Sequence, residues 1–308
     1  MKIGGNRVLT SWKSESDPSP GIFSIGLEPQ DDNPQLVIWT NGSNSRLWRS
    51  GPWNNIVFIG IAEMTYAQSF SLSEDNMYMS FKDTAKMYIL FVFDQHGAFL
   101  GKQWDSDVHN WHEFWSSQSN TCDTYGRCGP FGSCNPSNSQ ICSCLTGFRP
   151  KFEEEWSKGN WSAGCVRNTQ LVCRNSSFDK SDTDDGFITL ENMKVPDHAI
   201  VSLLFATDIE ECSMICLMNC SCLAYSYDSG IGCMTWGENL VDMQKFTQRG
   251  IDFYIRLARS EIDPARTNNK PHGLSKNVKL VIVIAVLVAT LAISICMYFL
   301  WKWLTKQR

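Results

Sequence analysis

The residues of this chain best equipped for chemistry are its cysteines: there are thirteen, and twelve of them lie between Cys122 and Cys233. One series runs Cys122, Cys128, Cys134, Cys142, Cys144, Cys165; a second runs Cys212, Cys216, Cys220, Cys222, Cys233, with Cys173 between them. Clustered thiols either hold a metal or pair with one another. Zinc sites favour cysteine pairs with two to four residues between them, often with histidine, and the first series has neither. An even dozen in one region therefore reads as six disulfides, which persist only in an oxidising compartment such as the secretory lumen or the cell exterior. Four glycosylation sequons agree with that placement: Asn41-Gly-Ser, Asn160-Trp-Ser, Asn175-Ser-Ser and Asn219-Cys-Ser.

Other groups offer less. His109 and His112 stand near Trp104, Trp111 and Trp115, a pattern open to a metal site or an aromatic sugar platform. With no third ligand nearby, the tryptophans read better as filling of a β core or a domain joint. Acidic runs such as Asp31-Asp32, Glu153-Glu154-Glu155 and Asp184-Asp185 sit in polar stretches and read as solvated surface. No Gly-rich phosphate loop, His-Arg-Asp loop, Asp-Phe-Gly or Gly-x-Ser-x-Gly elbow is present, so no catalytic residue, metal or cofactor is called for. The balance of 27 basic to 32 acidic residues, net −5, forms no basic track for a phosphate backbone, and nucleic acid is excluded as a partner.

The elements that must hold these groups are mostly strands. Phe23, Ile25 and Leu27 alternate with small residues, Leu36 to Trp39 follows, and Met77, Met79 and Phe81 alternate again. Met87 to Phe93 is an apolar run ending in Asp94-Gln-His-Gly97, a hairpin signal before Ala98 to Trp104. The Cys122–Cys165 stretch has too little apolar mass for its own core, so crosslinks must replace burial there. Thr207 and Glu210 have capping-box spacing ahead of a helix whose face repeats Cys212, Cys216 and Cys220. Leu280 to Leu300 is apolar except for Thr290, Ser294 and the amphipathic Tyr298, and 21 helical residues span roughly 30 Å, the thickness of a bilayer core. It reads as a transmembrane helix, with Cys296 as an apolar filler. Met1 to Thr10 has no apolar h-region, so a leader is expected upstream of the sequence given.

The first cysteine series resembles an EGF-like module, and the second resembles a PAN or apple module. The first resemblance implies Cys122–Cys134, Cys128–Cys142 and Cys144–Cys165; the second implies Cys212–Cys233 and Cys216–Cys222, leaving Cys173 and Cys220 by subtraction. Gln118-Ser-Asn-Thr121, ahead of the first cysteine, holds no carboxylate, so a calcium site is not expected. Together with Asn6-Arg-Val-Leu-Thr-Ser-Trp-Lys13, Leu47-Trp-Arg-Ser-Gly-Pro-Trp-Asn54, Cys128-Gly-Pro-Phe-Gly-Ser-Cys134, Gly159 to Arg167 and Asp252-Phe-Tyr-Ile-Arg-Leu257, the chain resembles the plant S-domain (G-type lectin S-receptor-like) receptor kinases.

That resemblance implies a mainly β, multidomain ectodomain. Residues 1–21 would be a remnant of a bulb-type lectin domain, 22–117 an S-locus glycoprotein β domain, 118–166 the EGF-like module and 173–259 an α+β PAN/apple domain. A juxtamembrane stalk (260–279), a single transmembrane helix (280–300) and a cytosolic stub (301–308) would follow. It also implies a single-pass plasma-membrane protein with its N-terminal region outside. Its partners would be an extracellular protein or peptide ligand and a sister receptor or second copy. In the self-incompatibility members of the family the ligand is a small cysteine-rich pollen protein. The lectin sugar site and the kinase have no counterpart positions here. The rival readings are a fragment of a complete serine/threonine kinase and an adhesion protein that binds cell-wall glycans.

Overall fold

Hydrophobic alternation in the first hundred residues builds two antiparallel sheets that close on one core. The computed structural model describes residues 8–28, 33–43, 45–61, 70–72, 79–81, 88–172, 185–202 and 206–262. Strands β1 (Leu9–Ser14), β2 (Asp17–Glu28), β3 (Gln35–Thr40) and β4 (Ser45–Arg49) form a sheet in sequence order. Ile25 pairs with Ile38, and Ile38 with Trp48, so the inward row of each strand falls on the same face. The boundary placed at residue 21 falls inside β2, and this sheet runs unbroken across it.

A short pair, β5 (Phe70–Leu72) and β6 (Met79–Phe81), precedes a meander of β7 (Ile89–Phe93), β8 (Phe99–Asp105) and β9 (Asn110–Ser116). At the β7–β8 turn the Asp94 side chain accepts the amides of His96 and Ala98, and Gly97 takes φ +79°. Ile25, Leu36, Ile38, Trp48, Trp53, Phe58, Phe99 and Trp115 form the shared core. Within it Trp48 and Trp115 meet edge to face, 5.9 Å apart.

The cysteine-rich stretch contributes β10 (Gly132–Cys134), β11 (Cys142–Cys144), β12 (Phe148–Pro150), α1 (Glu153–Ser157) and β13 (Cys165–Arg167). The rest of the chain adds β14 (Gly186–Lys194), β15 (Ile200–Ser202), α2 (Ile209–Met218), β16 (Ala224–Asp228), β17 (Gly232–Trp236), β18 (Met243–Lys245), β19 (Ile251–Leu257) and α3 (Arg259–Ile262). Eight strands share one sheet, in the order β11-β10-β18-β14-β19-β16-β17-β15. β10 pairs with β18 in parallel, so the β10–β11 hairpin of the cysteine-rich stretch is an edge of the larger sheet. Leu145, Phe148 and Cys165 lie in the same core as Val195, Trp236, Leu240 and Phe253. The small module thus combines bridges with a borrowed core.

The helix start differs from the expected capping box. Asp208 is the N-cap and accepts the Glu211 amide at 2.8 Å, while the Glu211 carboxylate accepts from Thr207. Aspartate in extended backbone two residues before Glu210 accepts the first free amide, shifting the start by one position. The helix ends at Met218, so Cys220 lies beyond it and only Cys212 and Cys216 occupy its inner face. The chain to Ile262 forms one compact unit. The apolar run 280–300, the stalk beyond Ile262 and the terminal stub lie outside the described residues. Among the described residues no helix is long and apolar enough to cross a membrane.

Candidate functional site

The feature that joins the modules is a buried cluster of charges. Successive residues of a strand face opposite ways, so β4 sends Trp48 into its own core and Arg49 out of the other face. Both are buried, because the segment from Lys194 to His198 and the strand β18 cover that face. Arg49 Nη2 donates to the carbonyl oxygens of Val195 (2.5 Å) and Asp242 (3.1 Å), and Nε lies 2.8 Å from Asp242 Oδ2. Lys194 Nζ reaches the same carboxylate oxygen at 2.9 Å. The other oxygen, Oδ1, accepts the Gly126 amide at 3.0 Å, which brings in the cysteine-rich stretch.

Asp197 is the second anion. Its carboxylate accepts from Gln35 Nε2 (3.1 Å) and Tyr125 OH (2.9 Å) and forms an ion pair with Arg46. Arg46 in turn holds Glu28 at 2.7 Å. Three cations (Arg46, Arg49, Lys194) thus meet three anions (Glu28, Asp197, Asp242), one residue set drawn from two modules and clasped by a tyrosine from the third. An unpaired charge at such a depth costs several kcal/mol, so the modules can separate only by hydrating the whole cluster.

The electrostatics follow from burial and pairing. Burial alone would raise the Asp197 carboxyl, but Arg49 and Arg46, with the Gln35 amide, outweigh it and hold it well below the usual carboxylate range. Burial and the adjoining Asp197 charge push the Tyr125 phenol up to about 12. Burial lowers the Lys194 ammonium, with Asp242 acting against the shift. Its charges are matched cation to anion across the modules, and its chemistry is that of a joint. Sequence reasoning did not single out these residues. The available signal was charge inside apolar segments, at Leu47-Trp-Arg49 and Lys194-Val-Pro-Asp197.

Between described residues, five disulfides staple the frame: Cys122–Cys134, Cys128–Cys142, Cys144–Cys165, Cys212–Cys233 and Cys216–Cys222, with Cα separations of 5.2 to 5.7 Å. Cys220 is also disulfide-bonded, while Cys173 lies outside the described residues, as does Asn175. The sulfurs of Cys128, Cys134 and Cys142 lie within 4.8 Å of one another, but all three are taken up in bridges.

Trp115 is buried in the first core; Trp104 and Trp111 meet edge to face at 5.5 Å near the β8–β9 turn, where His109 has φ +50°. Asn41, Asn160 and Asn219 are all exposed. A polar cleft of about 460 Å³ opens where the modules meet, between Trp115, Asn120, Gln244 and Arg249.

Fold, bridges and joint define a disulfide-linked, mainly β assembly. The S-locus glycoprotein domain family matches residues 48–152 and the PAN-like domain family residues 173–243. Among curated relatives, the Arabidopsis thaliana G-type lectin S-receptor-like serine/threonine-protein kinase SD1-13 is 42% identical over 87% of this chain and 32% of its own length. The B120 kinase of the same name and organism is 38% identical over 99% of this chain and 35% of its own. The chain belongs to the S-domain receptor kinase family. It spans about a third of the length of these relatives and matches their ectodomain region.

Proposed function

We propose that these residues form the extracellular ligand-recognition and receptor-pairing region of an S-domain receptor, held at the plasma membrane by a single helix over 280–300. The carrying observation is the joint centred on Arg49 and Asp197, which welds three modules into one body. A ligand bound to any module then displaces the whole body toward the membrane-proximal end, and pairing of two bodies is the signal. The bridges and sequons support a luminal or extracellular placement. The apolar length of 280–300 supports a bilayer span. We assign no catalytic step to these residues; phosphoryl transfer belongs to the named relatives.

The ligand class that suits this surface is a protein or peptide, and the second partner is a sister receptor or a second copy. The test is the full chain in two tagged versions, expressed together in plant cells. An impermeant cross-linker should join them at the surface, and non-reducing peptide maps should carry paired cysteines. Free thiols throughout, or tags that never reach the surface, would overturn the proposal.

The coverage of about a third of each relative also favours a second reading, in which these residues are one piece of a complete receptor kinase. Transcripts decide between the two. A frame continuing past Arg308 into a Gly-rich loop favours the complete kinase, and a stop there in independent transcripts favours a membrane-anchored form that pairs without phosphorylating.

A further inference from the structure

Among the described residues the sequons differ in what the folded chain leaves free, and one sits beside an exposed apolar surface. At Asn41 both ends of the side-chain amide are in use: Oδ1 accepts from Ser24 Oγ at 2.7 Å and Nδ2 donates to the Gly21 carbonyl at 3.2 Å. At Asn160, Nδ2 donates to Glu155 Oε2 at 3.1 Å and Oδ1 accepts from Ser162 Oγ at 2.8 Å. At Asn219, Oδ1 accepts the Ser221 amide at 3.0 Å and, among the described residues, Nδ2 makes no hydrogen bond.

The backbone beneath Asn219 is fixed. Its carbonyl accepts from Arg256 Nη1 at 3.1 Å and from the Cys222 amide at 2.9 Å, and the next residue, Cys220, is disulfide-bonded. Immediately before it, the outer side of α2 carries Met214, Leu217 and Met218, which are 55%, 43% and 75% exposed. Spacings of three and four residues put them on one ridge. Exposed apolar ridges of this kind on a secreted surface promote association unless they are covered.

We propose that Asn219 is the preferred N-glycosylation site among the described sequons, and that its sugar sheathes the Met214–Leu217–Met218 ridge. In the transfer, Asn219 Nδ2 forms a bond to the anomeric carbon of a lipid-pyrophosphate-linked oligosaccharide. The anomeric carbon–oxygen bond breaks, the lipid pyrophosphate leaves, and one amide proton is lost. A glycan at Asn41 or Asn160 leaves the nitrogen a single hydrogen, which is committed to the Gly21 carbonyl oxygen or Glu155 Oε2, so the direction of the sugar is dictated by that bond. At Asn219 no Nδ2 hydrogen bond among the described residues constrains it, and its apolar sugar faces lie against the methionines. The inference rests on the luminal placement proposed above.

The test uses the full chain made through the secretory pathway of plant cells, with site-resolved glycopeptide mass spectrometry. The expected result is sugar on Asn219 in most copies and on Asn41 and Asn160 in a minority. A bare Asn219, or equal occupancy at all three, overturns the site. A chain with intact bridges at the cell surface and a bare Asn219 overturns this inference while leaving the proposed function standing. For the sheath, S221A removes the acceptor signal and should raise binding of an apolar-surface dye, whereas S162A should not. Adding M214Q and M218Q to S221A should return dye binding to its starting level. If S221A strips the sugar without raising dye binding, the sheath is refuted.

Discussion

Replacing Arg49 by methionine is the sharpest test of the joint, because it keeps most of the volume and removes the charge. The guanidinium contributes hydrogen bonds to the Val195 and Asp242 carbonyls and a 2.8 Å contact to the Asp242 carboxylate. Hydrogen bonds from charged groups contribute about 1.5–3 kcal/mol each, and relief of the buried guanidinium's desolvation offsets part of the loss. Asp242 keeps Lys194 at 2.9 Å and the Gly126 amide at 3.0 Å, so it is weakened without being stranded. The net cost should be about 3–5 kcal/mol, the range for breaking a buried pair by removing one partner.

Against a total stability of roughly 5–15 kcal/mol, that loss should also split the transition. Urea unfolding of the disulfide-intact chain, followed by tryptophan fluorescence, should show one step in the parent and two in Arg49→Met. Each of the two should have a smaller slope than the parent's. Arg49→Lys should recover only part of the loss, because one ammonium cannot span the Val195 and Asp242 oxygens as the planar fork does. Added salt should change little, since screening barely reaches buried pairs. A loss under about 1 kcal/mol with one unsplit transition would refute the reasoning.

The remaining predictions use other parts of the frame. Replacing Cys212 and Cys233 together by serine should cost about 3 kcal/mol and replacing Cys216 and Cys222 about 2, because the first pair is 21 residues apart and the second 6; calorimetry of the double variants measures the order. The depressed Asp197 carboxyl stabilises the fold above the unfolded carboxyl value of about 3.9 and loses that effect as pH falls through its lower folded value. Asp197→Asn should therefore lower stability at pH 7 and flatten the loss below about pH 4 in acid-unfolding curves. For Tyr125 the sign reverses: with its phenol raised to about 12, its contribution is complete below the unfolded value of about 10 and fades as pH rises through 12, and Tyr125→Phe should remove one phenol from the latest phase of an ultraviolet titration. Asp208→Ala removes the acceptor for the Glu211 amide and should cost about 1 kcal/mol, read from the thermal midpoint.

Local signals were strong wherever neighbours in sequence decide the outcome. Asp94-Gln-His-Gly97 reads as a turn because an aspartate oxygen and a glycine at positive φ close it without help from elsewhere. Phe23, Ile25 and Leu27 read as a strand because a period of two buries one face. The helix after Thr207 was legible but misplaced by one residue, since Thr207 and Asp208 compete for the cap and geometry selects the aspartate.

Cysteine number and spacing announced the disulfide frame from the sequence alone, because pairing partners within a module lie close along the chain. What only the tertiary structure decided is that the β10–β11 hairpin extends the eight-stranded sheet, that β2 runs across a boundary drawn at residue 21, and that Arg49 faces inward. A charged side chain in sequence carries no mark of its depth. Arg49 is buried because Val195 and Asp242, about 150 and 190 residues further on, present oxygens to it, and such pairing at a distance exists only once the chain has folded.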